Sequence, residues 1–332
     1  MKLGSLRAGG RDGTLVVVSK DLKRAVKVPK ISATMQDALD RWATVEADLA
    51  AVYLKLNAGE IVDAFALDHT ALAAPLPRAY QWCDGSAYLS HAELVRQARN
   101  AEMPQSLYSD PMVYQGAGDT LIGPREDIVL ADEAWGIDLE GEIAVITDDV
   151  PMGTSADEAL KHIKLITILN DVSLRLLMPN ELAKSFGFFQ SKPSTAFAPV
   201  FSTPDELGDA WDGRKLSLPL ISHVNDEWLG QPNAGVDLDF DFPTLIAHIT
   251  KSRSLSAGTI IGSGTVSNRD RSVGSSCLQE RRMIEKIETG EFRTPFLKFG
   301  DKVRIDMVDK VGHSIFGPIE QTVVKYERSA SL

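Results

Sequence analysis

Two cysteines, Cys83 and Cys277, are all that the chain contains. They form no C-x-x-C pair and no Cys/His ligand spacing, which excludes zinc-finger and dithiol redox readings and leaves a disulfide open. Long apolar runs are also missing. Nothing approaches the ~18 consecutive residues that a membrane-spanning helix needs. The opening residues, with Gly4, Ser5, Gly9 and Gly10, hold no apolar stretch of the secretory kind. A soluble, cytoplasmic protein is therefore expected. Positive charge is scarce: 35 Lys and Arg stand against 46 Asp and Glu, a net charge of −11. Nucleic acid and anionic membrane both select basic surfaces, so neither is an expected partner. No G-x-S-x-G elbow is present, so a serine nucleophile of that type is not expected.

What the chain does have is an ordinary globular composition and enough length, 332 residues, for one large domain and a smaller one. Thr14–Ser19 and Ala25–Val28 read as a hairpin. Met35, Leu39, Trp42, Val45, Leu49, Val52 and Leu56 recur at helical steps, which predicts one long helix. Thr34 and Asp37 would box its start and Gly59 would stop it. Ala71–Pro77 marks a boundary, and short β-type runs follow it, including Glu142–Thr147, Leu165–Asn170, Val303–Val308 and Gln321–Tyr326. The expected division is a small N-terminal α/β region over 1–72 and a β-rich α+β domain over 73–332.

Acidic residues cluster in three places. Asp138, Glu140 and Glu142 precede an apolar run. On a strand, alternate residues share a face, so the three would crowd together. Carboxylates that close raise one another's pKa unless a cation compensates, and all-oxygen sets suit Mg²⁺ or Ca²⁺. An acidic strand end in solvent reads equally well from spacing alone. Asp171 closes the apolar run before Val172, with Arg175 four residues on; an Asp–Arg pair or a helix cap fits that spacing as well as a ligand does. Asp84-Gly85 suits a turn, and His91 suits a helix start or a core histidine.

Taken together, these segments resemble the fumarylacetoacetate hydrolase family. The order and spacing match an early Asp (Asp84), a His seven residues later (His91), an E-x-E pair (Glu140, Glu142) and a later N-D-x-S-x-R-like segment (Asp171, Arg175). Pro111–Gly116 is similar to the P-x-x-Y-x-G loop and Lys192–Pro199 to the K-x-x-x-x-F-x-P segment. Gly262–Ser267 is similar to the G-S-G-T-x-S loop, Gly274–Glu280 to the stretch bearing the Glu that orients the His, and Leu297–Val303 to L-K-x-G-D-x-V. The likeness runs from about Pro77 to Tyr326. Lys184-Ser185-Phe186-Gly187 mimics a family string too, which sets Lys184 against Lys192 as the site lysine. Met178 stands three residues after Arg175, where fumarylacetoacetases carry a glutamine.

The resemblance implies a mixed β-roll fold and a metal-dependent hydrolase of carbon–carbon bonds. It implies metal ligands Asp84, Glu140, Glu142 and Asp171 holding Mg²⁺ or Ca²⁺. His91 would act as general base with Glu280 behind it, Lys192 and Arg175 would stabilise charge, and Tyr114, Thr265 and Arg99 would contact substrate. The implied substrate is a small diketo acid, foremost fumarylacetoacetate in tyrosine catabolism, and the implied assembly is a homodimer. Acylpyruvate hydrolysis, oxaloacetate decarboxylation and 2-keto-4-pentenoate hydration remain as sister activities, and a non-catalytic metal-binding protein as the reading from another class.

Overall fold

The computed structural model describes residues 1–97 and 102–328. The chain opens with an antiparallel meander, β1 (Lys2–Leu6), β2 (Thr14–Val18) and β3 (Arg24–Lys27), whose β-branched T-L-V-V-V segment suits a buried strand. The single predicted helix is two, α1 (Met35–Asp40) and α2 (Trp42–Ala58). The break falls at Arg41, which leaves helical geometry while its guanidinium turns back onto Asp37, 2.6 Å away, and onto the Ile31 carbonyl. Thr34 caps α1 by accepting the Asp37 N–H. The Asp37 carboxylate reaches Ala33 N–H and the Ser32 hydroxyl rather than closing a box on Thr34. Gly59 ends α2 at a φ of 77°, a left-handed conformation that favours glycine.

Short elements follow: β4 (Phe65–Ala66), β5 (Trp82–Gly85), α3 (Leu89–Gln97), β6 (Val113–Gly116), β7 (Ile128–Leu130), β8 (Ile137–Asp138), β9 (Gly141–Thr147) and α4 (Ala156–Ala159). Next come β10 (Ile163–Asn170), β11 (Ser173–Leu174), α5 (Met178–Leu182), β12 (Ala196–Phe197), β13 (Phe201–Ser202), β14 (Leu220–Val224) and β15 (Glu227–Gly230). The last are α6 (Phe242–Ile249), β16 (Ile260–Gly262), α7 (Leu278–Thr289), β17 (Lys302–Met307) and β18 (Ile319–Lys325).

One large sheet runs β4-β3-β2-β1-β13-β10-β9-β16-β5-β6, with β12 also on β10. A second runs β15-β14-β17-β18-β7, and β8 pairs with β11 alone. The pairs β5–β16 and β7–β18 are parallel and the other strand pairs antiparallel, a mixed, strand-rich α+β arrangement without a closed barrel among the described residues. The first meander is part of the large sheet, because β1 pairs with β13 (Lys2↔Ser202, Leu3↔Phe201). One apolar cluster joins Leu39, Trp42, Leu49 and Leu56 of the helix pair to Ile146, Leu165, Phe197 and Phe201 of the central strands. Both cysteines are buried and free. No helix among the described residues is long and apolar enough to cross a membrane.

At the centre of this layer Trp82 is fully buried opposite Gly116 on β6. A Cβ at Gly116 would lie 2.1 Å from the indole Cδ1. Gly116→Ala is therefore expected to force the ring or strand to shift, at a cost of about 1–3 kcal/mol. Urea unfolding checks this; a variant as stable as the parent would contradict the packing.

Candidate active site

The acidic centre is built where β5 and β10 end and β9 begins, with β16 between β9 and β5. Glu142 sits on β9 opposite Leu169 of β10, and Asp171 follows β10 directly. The turn is fastened by Asn170, whose Oδ1 accepts the Glu140 N–H (3.0 Å), and by the Asp171 N–H, which donates to the Glu140 carbonyl (2.9 Å). Asp84 lies on β5 directly across from Gly262 of β16, and its Oδ1 accepts the Gly264 N–H at 3.0 Å. Asp84, Glu142 and Asp171 are all buried and bring carboxylate oxygens within 4.8 Å of one another.

Glu140 has a different environment. Its Oε1 accepts from Arg175 (2.6 Å) and its Oε2 from Lys192 (2.5 Å). Burial favours the neutral acid, but Arg175 and Lys192 together hold its carboxyl well below the usual range. Lys192 also reaches Asp171 Oδ2 at 2.5 Å; Tyr114 donates to that same oxygen at 2.5 Å. Lys184, by contrast, is exposed, so the lysine that the fold brings into the centre is Lys192.

Asp138 is not a third member of an acidic strand face. The backbone leaves strand geometry between β8 and β9, and Asp138 instead accepts the Leu278 and Gln279 N–H groups at the start of α7 and pairs with Arg175 at 2.8 Å. This is the favourable placement of an anion at a helix N-terminus. Arg175 is consequently committed to two carboxylates of the chain itself.

Burial first, then Asp171, pushes the Asp84 carboxyl up to about 8. Burial, then Asp84 and Asp171, pushes Glu142 well above its ordinary value. Both Glu142 oxygens are buried without a hydrogen-bond partner among the described residues. A buried carboxylate left unsatisfied is costly, and a divalent cation between Asp84, Glu142 and Asp171 would relieve both the desolvation and the mutual repulsion. An all-carboxylate set of this kind fits a hard cation.

Beside this centre lies a hydrogen-bonded histidine–glutamate pair. His91, on α3, shares a 2.9 Å hydrogen bond between its Nδ1 and Glu280 Oε2 of α7. Glu280 is fully buried; its Oε1 accepts from Ser267 (3.1 Å), whose hydroxyl in turn accepts from Ser90 (3.0 Å). The Cys277 thiol caps α7 by accepting the Glu280 N–H. Ser267 and Ser90 were not singled out from sequence, although Ser267 closes the G-S-G-T-V-S loop.

His91, Asp84, Glu140, Glu142, Lys192, Tyr114, Arg175 and Thr265 all face one cleft of about 510 Å³. Met112, Val113, Met178, Leu182 and Phe188 form its apolar wall, and Phe188 packs edge-on against Tyr114 with ring centroids 5.6 Å apart. Arg96 and Gln279 also line it. Arg99 lies outside the described residues. A larger groove of about 920 Å³ elsewhere mixes Lys20, Lys23 and Lys310 with Asp21, Asp209 and Asp309 and shares no residue with the cleft.

Comparison with known proteins agrees with this geometry. Residues 81–324 match the sequence model described as the fumarylacetoacetate (FAA) hydrolase C-terminal domain. The chain belongs to the fumarylacetoacetate hydrolase family. Residues 1–78 match the description fumarylacetoacetase N-terminal domain 2. Among relatives of this family member, oxaloacetate tautomerase YisK of Bacillus subtilis (strain 168) is 28% identical over 254 residues, 75% of this chain and 73% of that protein. The 2,4-didehydro-3-deoxy-L-rhamnonate hydrolase of Sphingomonas sp. (strain SKA58) is 28% identical over 47% of this chain, which spans about half, 53%, of that protein. The fold is shared with fumarylacetoacetate hydrolase from Exiguobacterium antarcticum (TM-score 0.68, 19% identity, 98% of this chain and 100% of that one). It is shared too with maleylpyruvate hydrolase from Sphingobium sp. SYK-6, solved with manganese(II) and pyruvate (TM-score 0.66, 18% identity, 98% and 100%).

The raised carboxyls give a pH signature. In the metal-free fold Asp84 and Glu142 retain protons that the unfolded chain releases near pH 4. Stability is then fully present below that range. It falls as pH rises towards about 8, by up to about 1.4 kcal/mol per pH unit for each group. Urea unfolding in EDTA at pH 5.5 and pH 8 should show this loss, and Mg²⁺ or Mn²⁺ at pH 8 should reverse it. Stability indifferent to both pH and cation would count against the acidic centre as a metal site.

Proposed function

We propose that the protein is a divalent-cation-dependent hydrolase that cleaves the carbon–carbon bond between the carbonyls of a 1,3-diketo acid, with fumarylacetoacetate the first substrate to test. The observation that carries this reading is the His91–Glu280 pair opening onto the same cleft as the acidic centre. A cation held by Asp84, Glu142 and Asp171 would supply charge that polarises a dicarbonyl and stabilises an enolate.

The chain's own groups supply the rest. Glu280 holds Nδ1 of His91, which leaves Nε2 to take a proton from water. The water oxygen bonds to the acyl carbon. The bond from that carbon to the carbon between the carbonyls breaks, and its electron pair passes to the leaving enolate. A proton returned to that carbon completes a ketone, and the acyl fragment departs as a carboxylic acid. Lys192, which spends two of its three hydrogens on Glu140 and Asp171, places a cation beside the developing charge, while Tyr114 gives its one hydrogen to Asp171 and helps fix that carboxylate. The apolar wall from Met112 to Phe188 keeps that charge away from bulk water.

A second reading is oxaloacetate keto–enol tautomerisation, favoured by the likeness to the Bacillus tautomerase. It needs proton movement at carbon and enolate stabilisation, but no attacking water.

The two separate in one assay series. Loss of fumarylacetoacetate or acetylpyruvate absorbance, abolished by EDTA and restored by Mg²⁺ or Mn²⁺, is expected. His91→Ala should lower kcat about 10²–10⁴-fold, with little change in the folding transition. Glu280→Gln should follow in the same direction. Turnover of oxaloacetate enol with no diketo acid consumed would establish the tautomerase reading; no activity on any of them would leave a binding protein.

A further inference from the structure

We infer that Trp82 and Thr195 form a positioning relay that sets how tightly the acidic centre holds a divalent cation. The inference rests on the metal-site reading above and assigns a role to two residues outside the ligand set.

Trp82 precedes Asp84 by two residues on β5, so the two side chains leave the strand on one face. The indole is fully buried, and its Nε1–H donates to Thr195 Oγ1 at 3.1 Å. Indole N–H can only donate, and a threonine hydroxyl has one hydrogen to give. Thr195 therefore accepts from Trp82 and spends its own hydrogen on Asp171 Oδ1, 2.8 Å away. The direction of the relay is fixed by the chemistry of its first member. The other Asp171 oxygen, Oδ2, is taken by Tyr114 and Lys192. Asp171 is thus held at both oxygens, and Oδ1, with a single donor, keeps acceptor capacity for a cation.

The seat of the indole is built into the sheet. A Cβ at Gly262 on β16 would come within 2.4 Å of the ring Cη2 and within 2.4 Å of Asp84 Oδ1. With Gly116 on the other side, two flanking glycines leave space for Trp82 and Asp84 together. The ring also meets Phe197 edge-on at 6.3 Å, and Phe197 lies two residues after Thr195. The Thr195 carbonyl accepts the Ile122 N–H, which pins the backbone of the relay's middle member. Two of the three clustered acids, Asp84 from β5 and Asp171 from the end of β10, are in this way indexed to a single buried ring.

Partners that orient a metal ligand typically carry a 10- to 100-fold effect on affinity. Thr195→Val keeps the shape and removes the hydroxyl; Thr195→Ser keeps the hydroxyl and removes the methyl. Mn²⁺ titration calorimetry on the full chain at pH 8, with unfolding in EDTA alongside, tests the relay. We expect Thr195→Val to weaken Mn²⁺ binding about 10- to 100-fold and to be less stable without metal than Thr195→Ser, because the buried Trp82 N–H loses its acceptor, and Thr195→Ser to bind as the parent does. Trp82→Phe, which keeps a ring without the N–H, should fall between, and it carries the test should the valine variant not fold. Parent-like binding by Thr195→Val or Trp82→Phe, or equal weakening by Val and Ser, would overturn the relay. A parent chain that binds no Mn²⁺ overturns the metal-site reading first and the relay with it.

Discussion

The structure turns on the burial of like charge. Asp84, Asp138, Glu140, Glu142 and Asp171 are all buried within one neighbourhood, where Arg175 and Lys192 are the cations that pair with them. In low dielectric that crowding is tolerable only if each charge has its own compensation. The fold divides the acids accordingly. Asp138 and Glu140 are neutralised by the chain itself, through Arg175, Lys192 and the first turn of α7. Asp84 and Glu142 are left with no paired cation among the described residues, Asp171 shares Lys192 with Glu140, and burial first, then the neighbouring acids, raises the Asp84 and Glu142 carboxyls. The Arg175 clamp therefore acts on the metal site indirectly, by removing two acids from the competition and fixing where the remaining three converge.

That division also explains why distant elements must assemble together. Arg175 joins the turn before β9 to the segment after β11, and through Asp138 it ties both to the N-terminus of α7. α7 carries Glu280, so the anchor of the acidic centre is also the anchor of the His91–Glu280 pair. The helix pair and first meander contribute no side chain to the cleft, yet they are not a separate layer: β1 hydrogen-bonds to β13, and the apolar stripe of α1 and α2 covers the strands whose ends hold the acids. Burial on that face shields the backs of β9 and β10 from water.

Much of the site could be read from sequence because chemistry-bearing residues repeat a family spacing, and β9 and β10 are legible as apolar β-type runs, whereas β5 and α7 are not. Trp-Cys-Asp-Gly is too short for periodicity and ends in a turn pair, so β5 was hidden even though Asp84 was marked. α7 reads Leu-Gln-Glu-Arg-Arg-Met-Ile-Glu-Lys-Ile-Glu-Thr, dominated by charge, and only its few buried positions betray a packed face. The two-helix break at Arg41 depends on a side chain folding back on Asp37, which no apolar stripe records. Above all, sequence spacing made Asp138, Glu140 and Glu142 look equivalent. Their different fates depend on Arg175, Lys192 and α7, which lie 35 or more residues away in the chain. Thr195 was passed over for the same reason: its partners Trp82 and Asp171 are assembled only by the sheet.

The reading proposed above involves two chemical tasks. Stabilising an enolate needs concentrated positive charge next to oxygen, and the acidic centre with Lys192 provides a place for it. Adding water to a carbonyl needs in addition a base that stays neutral until the moment of transfer. Glu280 would serve that base with its carboxylate held by the Ser267 hydroxyl, by Arg271 at 3.5 Å and by its place in the first turn of α7, where the helix dipole favours an anion. His91 reaches into the cleft from α3 while Glu280 stands on α7, the helix that also anchors Asp138, so the base proposed above and the acidic centre share one anchor. Chemistry that stops at the enolate would depend on the first part, and the cleavage proposed above would depend on both.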